Sequence, residues 1–214
     1  MPTFEGFPVA ALDFYDDLEV DNTKSFWEAN RHVWEESVRA PMTALTADLE
    51  DEFGPAKVFR PYRDVRFSKD KTPYKTHQGA FVAVGPSIGF YVQVGAPGVK
   101  VGAGFYDASP TRLAAIRAAI DDRRRGPRLE RLLADLGDDW TVQGDRLKTS
   151  PRGYDADHPR IALLRHRSLS VVRDHGFGEA IHRPDFVETV RADWRTARPL
   201  LAWVEDAVRT YEDG

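Results

Sequence analysis

The sequence predicts an α+β fold in which a mainly antiparallel sheet packs against helices. Apolar residues recur at helical spacing before residue 54 and again after Pro184. Between Lys57 and Phe105 the pattern changes to short β-prone segments that are separated by glycine and proline turns. Turns this short favour antiparallel neighbours, because parallel strands need a long crossover connection.

The N-terminal residues are predicted to form three helices. These are expected over 8–18, from about residue 23 to Arg39, and over 41–53. Asp21 and Asn22 offer an N-cap for the second helix. Pro41 is expected to interrupt that helix and to open the third, because proline lacks the N–H that a helix interior needs.

Four extended segments and then a mixed C-terminal half are expected after residue 56. The extended segments are 57–67, 79–84, 88–95 and 99–106. Ser109 is an N-cap residue followed by a proline at the first helical position. The later elements are helices from Pro110 and over 127–136, a hairpin of 140–142 with 146–148, a short helix near Pro159, a strand over 169–173 and a last helix from Pro184 with a kink at Pro199.

Composition indicates one folded domain over residues 1–214, with 42% hydrophobic and 30% charged residues. The N-terminus lacks the basic start of a signal peptide, and no apolar run approaches the roughly 18 to 20 residues that cross a bilayer. We therefore expect a cytoplasmic protein that does not associate with membranes. The absence of cysteine excludes disulfides, thiolate metal sites and thiol nucleophiles. No metal site is expected, and no motif identifies a cofactor.

Positive charge is concentrated in residues 60–75, here called the basic segment. It holds six cationic and two acidic residues, a net charge of +4 in a chain of net charge −4, so the remainder of the chain carries −8. If residues 58–67 are extended, alternation places Arg63 among apolar neighbours. A buried arginine then needs a carboxylate partner, a bound anion or a position at the rim.

Two interpretations of the basic segment remain open. In the first, Asp64 and Asp70 pair with neighbouring cations and the remaining lysines form a solvated loop, which is the usual outcome for a basic loop. In the second, the segment is a concave anion site with an aromatic residue for stacking. The ligand-binding residues would then be Arg63, Arg66, Lys69, Lys71, Tyr74 and Lys75.

Two other stretches carry weaker signals. In "GYDADHPR", residues 153–160, Asp155 and His158 are weak candidates for catalytic acid or base, although capping of the next helix is the simpler interpretation. The glycines of "GAPGVKVGAGF", residues 95–105, match no nucleotide-binding motif. Hairpin turns and a bulge explain them more simply than close approach of a ligand.

Several segments together resemble an uncharacterised protein family, domain of unknown function 2461. They are "SFWEANRHVWEE", "RPYRDVRFSKDKTPYKTHQGAF", "VGAGFY" and "GYDADHPRIALLRHRSL", which together span most of the chain. The resemblance implies a one-domain fold and supports the choice of segments. It implies no activity and assigns no catalytic residue.

The leading hypothesis is an anion-binding α+β domain, with an enzymatic role on a phosphorylated or nucleotide-like ligand left open. The alternative is a non-enzymatic interaction module whose basic segment docks an acidic protein. The expected partner is a small anionic ligand, and the −8 charge outside the basic segment argues against tight binding to generic nucleic acid. The sequence leaves the oligomeric state undetermined.

Overall fold

A computed structural model describes residues 3–66 and 68–212 and contains one six-stranded sheet. Its strands are β1 (Ala56–Val58), β2 (His77–Gly85), β3 (Ile88–Gly95), β4 (Gly98–Phe105), β5 (Trp140–Gln143) and β6 (Leu169–Gly176). Their order is β1-β2-β3-β4-β6-β5, and the sheet is antiparallel. The predicted α+β class and antiparallel sheet are confirmed.

Helices precede, interrupt and follow the strands. They are α1 (Val9–Val20), α2 (Lys24–Val33), a π-helical segment (Trp34–Arg39), α3 (Ala40–Phe53), α4 (Pro110–Asp121), α5 (Arg125–Ala134), α6 (Ile161–Leu164), a 3-10 turn (Glu179–His182) and α7 (Phe186–Glu212). No helix among the described residues has both the length and the apolar character needed to cross a membrane.

The chain groups into two compact units, and the boundaries in the chain fall within β2, β3, β4, β6 and α7. The first comprises the described residues up to Val82, with Tyr91–Val101 and Asp174–Ala192. The second comprises Ala83–Phe90, Gly102–Arg173 and the described residues from Asp193 onward. A single domain over residues 1–214 stays a prediction.

Pro41 does not interrupt the helix in the first unit, so that prediction is wrong. The α2 helix, the π-helical segment and α3 follow one another without a break from Lys24 to Phe53. In the π-helical segment the Ala40 N–H donates to the Glu35 carbonyl, five residues earlier rather than four. This wider turn relieves the crowding that a proline ring causes in a regular α-helix.

The N-cap of α2 is Thr23 rather than Asp21 or Asn22. The Thr23 hydroxyl accepts a hydrogen bond from the Phe26 N–H at 3.3 Å. Asn22 is used elsewhere, because its side-chain amide donates to the Tyr74 carbonyl at 3.0 Å and accepts from the Tyr74 N–H at 3.1 Å. The side chain of Asn22 thus fixes the backbone where the basic segment ends.

The predicted hairpin over 140–148 in the second unit is wrong. The β5 strand pairs antiparallel with β6, and Arg146 forms an isolated bridge with His166. The first arm therefore pairs with β6, and Arg146 of the second arm pairs with His166, which precedes that strand. The β6 strand extends to Gly176 rather than ending at residue 173. The α7 helix continues through Pro199, and the kink at that residue stays a prediction.

Candidate functional site

The predicted strand over 57–67 does not form as a whole. The basic segment consists of two irregular stretches joined by a loop. Only Ala56–Val58 forms a strand there, and an isolated bridge joins Tyr62 to Tyr74. The Arg63 N–H donates to the Pro73 carbonyl at 2.9 Å. Exposure nevertheless alternates over residues 60–66 as the extended pattern predicts. Phe67, which the same pattern assigns to the apolar face, lies outside the described residues.

Arg63 finds a carboxylate partner within the loop itself. Its guanidinium donates to the carboxylate of Asp70 and to the hydroxyl of Thr72. Asp70 also accepts from the Thr72 N–H at 2.9 Å. That backbone bond, followed by the contacts with Arg63 and the Thr72 hydroxyl, lowers the pKa of Asp70 to about 2. The hypothesis of an anion site requires that the Arg63 guanidinium is available to a ligand. In the structure this guanidinium already binds Asp70 and Thr72.

The other loop cations also fail to converge on one point. Arg66 binds Asp64 through two hydrogen bonds of 2.9 and 2.6 Å, and this contact is the main reason why the pKa of Asp64 is lowered. The Lys71 ammonium donates to the Val65 carbonyl at 2.9 Å, and Lys69 is exposed. This half of the basic segment is an internally paired loop with an exposed tip.

Tyr74 is a core residue rather than a surface for a ligand to stack on. It is 4% exposed, and its ring stacks on Trp27 with a centroid separation of 4.4 Å and an interplanar angle of 11°. Trp27 also contacts Trp34 at 5.2 Å and Tyr62 at 6.1 Å. These four rings form the aromatic cluster of the first unit.

A cavity of about 500 Å³ lies beside this aromatic cluster in the first unit. Its charged lining residues are Arg31, Arg39 and Arg60, and its aromatic lining residues are Trp27, Trp34, Phe59 and Tyr62. None of the described lining residues is acidic. We call this site the aromatic–arginine cavity.

The π-helical segment places two of the lining residues. Trp34 and Arg39 are its first and last residues, and the Arg39 guanidinium lies 5.9 Å from the centroid of the Trp34 ring. A π turn stacks residues five apart, whereas in a regular α-helix they would diverge by about 140° around the axis. The departure from α-helical geometry thus brings Arg39 and Trp34 to the same cavity.

A fourth cation, Lys75, lies beside the cavity. The pKa of Lys75 lies below its usual value, first because of burial and second because of the charge of Arg60. The Lys75 ammonium lies 5.2 Å from the ring centroid of Phe59, a lining residue. Burial and the charge of Lys75 in turn lower the pKa of His77. Lys75, a cation of the predicted ligand set, thus contacts a lining residue of the cavity.

Asp155 and His158 do not form an acid/base pair in the second unit. His158 lies 3.0 Å from the Asp121 carboxylate through Nε2, and its Nδ1 accepts from the Arg160 N–H at 3.0 Å. Nε2 therefore carries the hydrogen and donates a hydrogen bond to the Asp121 carboxylate. Asp155 is exposed, and its backbone carbonyl accepts from the His158 N–H. The ring of His158 ties the residues before α6 to the end of α4.

The described residues contain no group of three histidine, aspartate or glutamate side chains that is arranged to hold a metal ion. Arg31 and Arg39 were missed in the sequence, although one signal points to Arg31. Trp27, Arg31 and Trp34 are spaced by four and three residues, which places a cation on the same helix face as two tryptophans.

The fold and the site together define an α+β protein with an antiparallel sheet and a cationic, aromatic-lined cavity. The chain belongs to the family described as conserved hypothetical protein, domain of unknown function 2461, whose pattern matches residues 10–203. The resemblance noted in the sequence is thereby confirmed. No curated protein matches the chain.

Proposed function

We propose that this protein binds a small phosphorylated ligand in the aromatic–arginine cavity. The observation that supports the proposal is the set of three arginines around a cavity of about 500 Å³ with no acidic residue among the described lining residues. This volume falls in the usual range for small-molecule sites. Guanidinium groups bind phosphate oxygens through paired, charge-assisted hydrogen bonds.

The contacts of the arginines determine how each can contribute. Arg60 is exposed, and its charge contributes to the lowered pKa of both Lys75 and Asp64. Arg39 lies over the Trp34 ring, which leaves the rest of its guanidinium fork for a ligand. Arg31 bonds Glu35 at 3.0 Å on the exposed helix surface, and such pairs are weak enough for a phosphate to compete.

The proposal is one of binding at this cavity, with enzymatic activity left undecided. Neither a carboxylate nor a histidine, the most frequent general bases, is among the described lining residues. We also propose a cytoplasmic location, which the cysteine-free composition supports.

Thermal unfolding with pyrophosphate, sugar phosphates and nucleotides tests the proposal directly. A ligand at 100 times its dissociation constant adds roughly 2.7 kcal/mol to the free energy of unfolding. Arg60→Ala should weaken binding at least about tenfold, since a hydrogen bond to a charged group is worth about 1.5 to 3 kcal/mol. Arg128→Ala, at an exposed position of α5, is the matched control. The proposal fails if no ligand of the panel stabilises the protein.

Arg66→Ala distinguishes the cavity from the loop tip. Arg66 is bound to Asp64 and is not a lining residue, so this variant should bind the ligand as the original protein does. If Arg66→Ala weakens binding and Arg60→Ala does not, the anion site lies on the basic segment instead.

The docking alternative keeps one supporting observation. The tip of the basic segment is exposed, with the Arg66 side chain at 77% and both Lys69 and Lys71 open to solvent. An acidic partner would meet these cations without entering the cavity. Fluorescence anisotropy with a glutamate-rich peptide tests this alternative: binding that Lys69→Ala weakens and Arg60→Ala preserves supports docking, and the absence of binding excludes it.

A further inference from the structure

We infer that the ligand of the aromatic–arginine cavity is a nucleotide whose base stacks on Tyr62. This inference rests on the proposed function and narrows it to one class of phosphorylated ligand. It depends on the exposure of Tyr62, on the contacts that hold its ring, and on the position of Arg60.

Tyr62 is an aromatic residue left half open at the cavity. It is 47% exposed, whereas the Trp27 and Trp34 rings beside it are 3% and 5% exposed. Small-molecule sites are lined mainly by apolar and aromatic side chains, so Tyr62 offers an accessible ring at the place where a ligand would bind. We therefore assign to Tyr62 the stacking role that the sequence suggested for Tyr74.

The ring of Tyr62 is held in place although it is exposed. It packs against Trp27 at 6.1 Å and against Tyr74 at 5.5 Å, with interplanar angles of 54° and 44°. The bridge between Tyr62 and Tyr74 fixes its backbone. A flat ring that is already fixed loses little conformational freedom when a base stacks on it, and this strengthens binding.

Arg60 lies two residues before Tyr62, and both residues line the cavity. Both side chains are exposed, and Pro61 between them is half-buried at a bend. A nucleotide presents the same two elements, a planar base and a phosphate, joined by a ribose. Inorganic phosphate or a sugar phosphate would engage the arginines and leave the aromatic lining without a planar partner.

The test compares adenosine monophosphate, ribose 5-phosphate and adenosine in titrations followed by tryptophan fluorescence, since Trp27 and Trp34 line the cavity. We expect adenosine monophosphate to bind about 5- to 150-fold more tightly than ribose 5-phosphate, from the usual gain of base–aromatic stacking. Tyr62→Ala should remove most of that preference and leave the affinity for ribose 5-phosphate unchanged. Tyr62→Phe should retain the preference, and Tyr62→Leu, which keeps an apolar side chain, should lose it.

Tyr106→Ala is the matched control, because Tyr106 is 61% exposed and does not line the cavity. Equal affinities for adenosine monophosphate and ribose 5-phosphate would overturn the nucleotide inference and leave the proposed function standing. So would a Tyr62→Ala variant that weakens both ligands alike. Binding of adenosine as tight as that of adenosine monophosphate, or no binding of any probe, would instead overturn the proposed anion site itself.

Discussion

Tyr74→Ala should mainly lower the free energy of unfolding, whereas Tyr62→Ala should mainly weaken ligand binding. The two residues form one backbone bridge and their rings touch, but Tyr74 is 4% exposed and Tyr62 is 47% exposed. An aromatic side chain buries about 200 Å² when it is fully covered, which corresponds to about 5 kcal/mol at 25 cal/mol per Å². Residual compactness of the unfolded chain reduces this value by up to about 40%, to about 3 kcal/mol.

Tyr74→Ala should therefore lower the free energy of unfolding by about 4 kcal/mol. This value adds to the burial figure about 1 kcal/mol for the lost stack on Trp27, which has a centroid separation of 4.4 Å. Tyr62→Ala removes about half the buried area and should cost about 1.5 kcal/mol. For binding the order reverses, because Tyr62 lines the cavity and Tyr74 does not.

Urea unfolding followed by both tryptophan fluorescence and circular dichroism measures the two free energies, and coincidence of the two signals checks that the transition has two states. Adenosine monophosphate titrations at a temperature where all variants are folded measure binding. The reasoning is refuted if Tyr62→Ala destabilises as much as Tyr74→Ala. It is equally refuted if Tyr74→Ala, while folded, loses the ligand preference that Tyr62→Ala retains.

Four other perturbations have defined outcomes. Gly98→Ala should lower the free energy of unfolding by about 3 kcal/mol in a urea titration, because Gly98 has φ of +104° and a Cβ there would lie 1.7 Å from the Gly176 carbonyl oxygen. Asp70, whose pKa is lowered to about 2, should stabilise the basic segment fully above about pH 4 and lose this effect as the pH falls toward 2. Hydrogen exchange at the Thr72 amide should then show falling protection. Protection that is unchanged at pH 2 would contradict this prediction. Pro41→Ala should let the π-helical segment become α-helical and so weaken anion binding without lowering the free energy of unfolding, as measured by calorimetric titration and urea unfolding; unchanged affinity would contradict it. Generic DNA or RNA should not bind tightly at physiological salt, and any residual binding should involve at most about four phosphates, with a log–log salt slope in anisotropy no steeper than about −3 to −4.

The sequence was informative wherever local chemistry determines the structure. The turns between 79 and 106 predicted three antiparallel strands, because their short connections leave no room for a crossover. Ser109 caps α4 as expected, accepting from the Arg112 N–H at 3.3 Å. The errors fall where a distant residue competes with a local one. Asn22 has the chemistry of an N-cap, but it bonds the backbone of Tyr74, which lies 52 residues away.

The basic segment illustrates the same limit for the site. Its charges are visible in the sequence, but the sequence does not show that Asp70 binds Arg63 or that Asp64 binds Arg66. Once these pairs form, the net charge of +4 rests on Arg60, Lys69, Lys71 and Lys75, of which Arg60 lines the cavity. Charge concentration therefore marks a segment that adjoins the cavity, whereas pairing within the loop decides which of its cations can meet a ligand.

The π-helical segment explains why periodicity alone could not assemble the cavity. A count of α-helical turns separates Trp34 from Arg39 by about 140°, so a helical wheel places them on different faces. The Ala40 N–H reaches back five residues to the Glu35 carbonyl, and the two side chains then meet at 5.9 Å. The following Pro41 cannot donate a backbone hydrogen bond, which makes a regular α-helix costly at this point. In the sequence, Pro41 predicts only a break in the helix. In the structure it follows the π-helical segment, which places Arg39 at the aromatic–arginine cavity.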